Sequence, residues 1–147
     1  MKKISLILLL FSNKLFAQVK MQTNKKDTIE IQPEFPTGQT EMFRFIGKNM
    51  TYPATPRNNG IQGTLYVGFV VDSTGELEGI NVKAQRLYKL KRKNILSKFQ
   101  EEKIESDMEL ANECIRVVKL MPKWKPGTQN GKPVRVAYTL PLKFKLE

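Results

Sequence analysis

Few residues in this chain could carry chemistry. It contains no His and a single Cys, Cys114, so neither a Ser-His-Asp nor a Cys-His relay can be assembled, nor a His-based zinc site. A lone Cys excludes an intrachain disulfide and leaves only pairing between two chains open. Glu101 and Glu102 stand in a dense run of charges that reads as a solvated face, and no nucleophile has a base beside it. Asp72 and Glu76 flank a turn, and their spacing supplies too few oxygens to surround a calcium ion. These residues predict no catalytic centre, no metal site and no cofactor. Any function must rest on binding.

The charge balance says what kinds of partner to weigh. Among 147 residues, 25 are Lys or Arg and 14 are Asp or Glu, a formal charge of +11. Clustered cations of this kind bind phosphates by releasing counterions, but no known nucleic-acid module is present and the N-terminus points to export. Nucleic acid is therefore disfavoured. An anionic envelope surface or an acidic partner fits the basic face better. With 40% hydrophobic and 9% aromatic residues, the chain has enough apolar surface for one core.

The N-terminus has the shape of a signal peptide. Lys2 and Lys3 precede the apolar run from Ile4 to Phe11, and Ala17 offers a small residue for cleavage. A spanning helix needs about 20 apolar residues, so the membrane-anchored alternative, with the domain facing the periplasm, is the weaker one. Cleavage after Ala17 removes three lysines and no acid, lowering the formal charge from +11 to +8. Residues 1–17 are thus expected to be a signal peptide, residues 18–33 a polar tether, and residues 34–147 an exported periplasmic domain.

Within that domain, Met42, Phe43, Ile46 and Met50 recur at helical spacing and predict a helix over residues 39–49, with Thr37 or Thr40 as its cap. Tyr52-Pro53 and Pro56 end it, and a second short helical turn is expected over Arg57 to Asn59, ended by Gly60. Gly63 to Asp72 alternates, with Leu65, Val67, Phe69 and Val71 on one face, and turns through Asp72 to Glu76 into a returning strand, Leu77 to Gln85. That strand is expected to turn Ile80, Val82 and Ala84 to the core. Ile104, Met108, Ala111, Ile115 and Val118 read as the stripe of a long helix that packs on the sheet, widened by Leu110, Cys114, Val117 and Met121. Cys114 then reads as a small buried apolar residue, and Trp124 as core. Val134 to Leu146 alternates again and holds Pro141, which lacks an N–H and belongs on a sheet border. The expected fold is α+β: a small three-stranded antiparallel sheet with a long helix and a shorter N-terminal helix packed on one face. The segment Arg86 to Asp107 has no readable role.

Seven short motifs then occur in order: FP-x-G (Phe35 to Gly38), YP (Tyr52-Pro53), GIQG (Gly60 to Gly63), VD-x-x-G (Val71 to Gly75), MPKWKPG (Met121 to Gly127), GKPV (Gly131 to Val134) and YTLPLKF (Tyr138 to Phe144). In this order they resemble the C-terminal domain family of TonB. The resemblance implies a module that docks the Ton box, an extended segment of outer-membrane TonB-dependent transporters, or a similar segment of another envelope protein, by adding it to the sheet as a strand. It assigns that docking to the last strand, at Val134, Arg135, Val136, Ala137, Tyr138, Thr139 and Leu140. Asn49 and Tyr52 are implied as secondary contacts; an equal reading has Tyr52-Pro53 merely fixing the exit from the first helix. Whether the same border also pairs two copies into a homodimer is left open. The chain departs from full transducers of this kind, which carry an uncleaved anchor with a membrane-embedded His and a long Pro-rich arm. It lacks the parts by which force would arrive.

Overall fold

The computed structural model describes residues 29–92 and 99–146. The expected signal peptide and most of the expected tether lie outside the described residues. No helix among the described residues is long and apolar enough to cross a membrane.

Helix α1 (Gln39–Asn49) has the predicted bounds and buries Met42 and Ile46, while Phe43 points outward. Its cap is neither threonine: Gly38 takes that position at φ 90°, and no side chain caps the helix. A side chain at Gly38 would be strained, so backbone geometry rather than a hydroxyl starts this helix. Helix α2 (Ala54–Asn58) forms in spite of Pro56, which is buried. The proline falls in the first turn, where no intrahelical N–H bond is lost.

Strands β1 (Ile61–Val71) and β2 (Leu77–Arg92) form an antiparallel hairpin. The loop is held by Asp72, whose Oδ1 accepts from the Thr74 N–H at 2.8 Å, the Thr74 hydroxyl at 2.7 Å and the Glu76 N–H at 2.9 Å. Those bonds keep the Asp72 carboxyl below the ordinary range, the Thr74 hydroxyl contributing most. Gly75 sits at φ 89°, and a Cβ there would fall 2.0 Å from the Trp124 carbonyl oxygen. The Trp124 N–H in turn donates to the Gly75 carbonyl at 2.9 Å. Only glycine allows the loop to lie this close to the segment that carries the tryptophan.

The expected three-stranded sheet is corrected to four strands, with the segment Phe99–Ile104 beside β2 and the segment Val136–Phe144 beside β1, and there are three helices among the described residues. The added strand is β3 (Phe99–Ile104), which pairs antiparallel with the far half of β2. Helix α3 (Met108–Lys119) is accordingly shorter than the expected long helix. Ile104 lies opposite Leu87 in the sheet, and Asp107 starts the helix by accepting from the Leu110 N–H at 2.9 Å. The buried stripe is Leu110, Ala111, Cys114, Val117 and Val118, while Met108 is 68% exposed. Ala84 is corrected as well. It is exposed and lies opposite Tyr66, because a bulge between Tyr66 and Val67 turns the strand over. Ile80 and Val82 do pack against the core.

The hairpin β4 (Gly127–Gln129) and β5 (Lys132–Val134) leads into β6 (Val136–Phe144). The described end of the expected tether lies against this hairpin, with the Glu30 N–H donating to the Thr128 carbonyl at 2.9 Å and Ile31 bridged to Thr128. Leu65, Val67, Phe69 and Val71 of β1 and Leu140, Leu142 and Phe144 of β6 form the core with the helices.

Candidate functional site

β6 closes one side of the main sheet. Its register against β1 is unbroken from Val136 opposite Val71 to Phe144 opposite Gly63, and no described strand pairs with its other side. Which backbone groups face that open side follows from alternation. The Asp72 N–H bonds across to Glu76 on the β2 side, so its neighbour Val71 turns its N–H and C=O to β6. The partner of Val71 is Val136; hence Val136, Tyr138, Leu140, Leu142 and Phe144 spend their main-chain groups on β1. Ala137, Thr139, Pro141 and Lys143 turn theirs outward. Pro141 falls on an outward position, where its missing N–H costs the ladder nothing.

The open border therefore presents three donors, the N–H groups of Ala137, Thr139 and Lys143, and four carbonyl acceptors. All four side chains are exposed. The inward residues are buried or half-buried on the helix face, which holds the row straight. Of the residues expected on the border, Val136 to Leu140 lie on β6. Val134 belongs to β5, opposite Gly127. Arg135 stands at the junction, its guanidinium 2.6 Å from the Glu78 carboxylate.

Asn49 and Tyr52 lie elsewhere, near the far end of β6. The Asn49 side-chain amide donates to the Phe45 carbonyl at 2.7 Å, and the Asn49 main-chain carbonyl accepts from the Arg116 guanidinium at 2.6 Å. Tyr52 packs edge-on against Phe144 at 5.1 Å, and its hydroxyl donates to the Ile61 carbonyl. Burial pushes the Tyr52 phenol up, helped by the negative charge of Asp107. Both polar groups already have partners within the fold. The same turn is clamped to α3 by Glu113, which accepts from the Thr51 N–H at 2.6 Å and pairs with Arg116 at 2.7 Å. Arg116 holds the Glu113 carboxyl below its usual range.

Beside the start of β6, on the helix face, residues of three of the motifs meet. Trp124 is 3% exposed and makes edge-on contacts with Phe35, Phe69 and Tyr138 at 6.0, 5.3 and 5.0 Å. A cavity of about 240 Å³ lies between this cluster and α1, bordered by Glu34, Phe35, Gln39, Met42, Trp124 and Tyr138. Sequence reasoning treated Phe35 as motif and Trp124 as core, and missed the cavity. The alternation that turns Tyr138 to the core face was readable; the arrival of Trp124 and α1 on the same spot was not.

The helices thus cover one face of an antiparallel sheet, and β6 is a border strand of that sheet with no described strand on its outer side. The particular family enters through comparison. The family model described as Gram-negative bacterial TonB protein C-terminal matches residues 102–146, the stretch from the end of β3 through α3 and the hairpin to β6. The resemblance read from the motifs holds there, and TonB C-terminal domains serve TonB-dependent transport. Among solved structures, the chain is similar to the NMR solution structure of the Helicobacter pylori TonB C-terminal domain. The identity is 16% and the TM-score 0.45, over 74% of this chain and 79% of that one. No curated protein matches the chain.

Proposed function

We propose that this protein is a periplasmic binding module of TonB C-terminal type that docks an extended peptide segment along β6 by strand addition. The observation that carries the reading is the open border of β6, with three N–H groups and four carbonyls turned outward and the alternate residues locked into the core. Main-chain bonding of this kind accepts many sequences in extended form. The segment is the Ton box of an outer-membrane transporter or a like segment of another envelope protein. Nothing is cleaved or transferred. The docked strand would become the fifth of the sheet.

Calorimetric titration of the full chain with synthetic Ton box peptides tests this. Saturable binding is expected, and it should be lost when Pro replaces alternate peptide residues, since Pro removes the guest's donors. No binding at millimolar peptide, or equal binding of the Pro-substituted peptides, would refute it.

A further inference from the structure

The helices cover one face of the main sheet and leave the other bare. An antiparallel sheet can turn a polar face to water without any ligand, so the composition of that face decides whether it does more. Leu87 and Ile104 lie opposite each other on β2 and β3, with Leu87 buried in the core on the helix side. Beyond that pair the two strands run on as an arm past Ile61, the first residue of β1, which lies opposite Lys89. In the arm the polarity of the two sides inverts. By alternation Lys89, Lys91, Gln100 and Glu102 lie on the helix side, with Lys91 paired to Glu102 at 2.8 Å. Tyr88, Leu90 and Phe99 lie on the bare side, where Leu90 is 44% and Phe99 63% exposed. An arm that only extended the core would carry its apolar residues on the side of Leu87.

Cations flank this apolar end on the same face. Lys143 lies opposite Thr64, and Thr64 opposite Arg86, so the three form one row across β6, β1 and β2. Lys103 lies opposite Tyr88. The stem of Lys83 crosses Gly68, whose missing side chain gives it room: a Cβ there would fall 2.6 Å from the lysine Cε. All four cations are exposed. Among the described residues no carboxylate pairs with Lys83, Arg86 or Lys143, and Lys103 meets only the exposed Glu105, at 3.0 Å. Of the acids on this face of the sheet, Glu78 is neutralised by Arg135 at 2.6 Å, which leaves Glu101. The Arg86 guanidinium lies 5.4 Å above the centre of the Tyr66 ring, and a cavity of about 330 Å³ opens between Arg86, Tyr88, Glu101 and Lys103.

From this arrangement we infer that the bare face is a docking surface for an anionic phospholipid membrane. Lys83, Arg86, Lys103 and Lys143 hold lipid phosphates, and Leu90 and Phe99 enter the headgroup layer. Cations set around exposed apolar side chains on one side of a molecule match an interface that is negative outside and apolar beneath. Long cationic side chains keep their charge among headgroups while their stems lie on apolar ground. A second copy of the chain on this face would bring like charges together. An acidic polypeptide would meet the cations but gives Leu90 and Phe99 no role. The surface is separate from the border of β6, whose open side points along the sheet and stays free when the face is covered.

The test measures partitioning of the full chain onto vesicles, either phosphatidylcholine alone or an equal mixture with phosphatidylglycerol. Residues 4–11 are apolar in every version of the chain, so each variant is read as a ratio to the parent. On the anionic vesicles Arg86→Gln and Lys143→Gln should each weaken partitioning about 5-fold, and together about 30-fold. Leu90→Ser should weaken it about 5-fold. Lys48→Gln makes the same charge change on α1, on the helix side, and should match the parent. Salt at about 1 M, which screens charges beyond about 3 Å, should erase the differences among the charge variants. If Arg86→Gln does not fold, Lys143→Gln decides, because that side chain is exposed. A local readout comes from Phe99→Cys carrying an environment-sensitive dye, since the chain's own thiol, Cys114, is buried; its emission should shift to the blue on anionic vesicles only. Equal weakening by Lys48→Gln and Arg86→Gln would overturn the surface, as would a dye that stays in water on vesicles that hold the chain. Soluble polyglutamate that displaces the chain, together with Leu90→Ser partitioning as the parent does, would overturn it in favour of an acidic polypeptide.

Discussion

Replacing Thr139 by Pro isolates the outward donor row from everything else that β6 does. The Thr139 N–H faces away from β1, and its side chain is exposed, so the change removes one donor without touching the ladder or the core. Pro141, two positions on, already shows that this strand accepts a proline at an outward position. The stability cost should stay below about 1 kcal/mol. Docking should suffer more. One main-chain hydrogen bond contributes about 0.5 to 1.5 kcal/mol, and the guest carbonyl left without a partner costs about 1 to 3 kcal/mol. A combined loss of about 1.5 to 4.5 kcal/mol corresponds to roughly 10- to 2,000-fold weaker binding. Calorimetric titration with a Ton box peptide measures the affinity, and a urea transition followed by Trp124 fluorescence measures the stability. Thr139→Val, which retains the N–H, should bind as the parent does. The reasoning is refuted if Thr139→Pro folds and binds with unchanged affinity, or if it unfolds, because then the Thr139 N–H is part of the β1 ladder.

Gly75→Ala should destabilise the domain by at least about 3 kcal/mol, combining positive φ with a Cβ driven onto the Trp124 carbonyl; a urea midpoint equal to that of the parent would exclude the close approach. Glu113→Gln should cost about 1 to 2 kcal/mol by weakening the clamp between Thr51 and Arg116. The Glu113 carboxyl is depressed in the folded state, so its stabilisation is present above the unfolded carboxylate range and is lost as pH falls through the lowered value. The Gln variant should therefore show a flatter stability curve between neutral and acid pH, and an unchanged acid slope would contradict the clamp. Cys114 is fully buried, and burial pushes its thiol up to about 12. A thiol-reactive dye at pH 8 should label it only through unfolding, with a rate that rises with urea; rapid labelling of the native protein would contradict its placement.

Much of this architecture was legible because it follows short-range rules. The α1 bounds, the β1 alternation, the Asp72–Glu76 turn and the border position of Pro141 all come from local periodicity, turn chemistry and a missing N–H. What failed is instructive in the same terms. Ile104 has helical spacing to Met108 and Ala111, yet it is a strand residue, because a long β2 offers Leu87 as an apolar partner across the sheet and the pairing wins over the period. The fourth strand was hidden for a related reason. FQEEKI is exposed at five of its six positions, so it carries no hydrophobic signal, and main-chain pairing with β2 together with ion pairs such as Lys91–Glu102 at 2.8 Å accounts for it. Ala84 changed faces through a bulge that no pattern announces. At the candidate site, the strand was readable and the cavity was not, since the cavity exists only where α1, the Trp124 segment and β6 converge.

Hydrogen exchange along β6, with and without a Ton box peptide, tests the central proposal most directly. In the free protein the amides of Tyr138, Leu140 and Leu142 should exchange slowly, and those of Ala137, Thr139 and Lys143 fast. Peptide should slow the second set and leave the first unchanged. Outward amides that are already protected in the free protein, or that stay fast at saturating peptide, would contradict it.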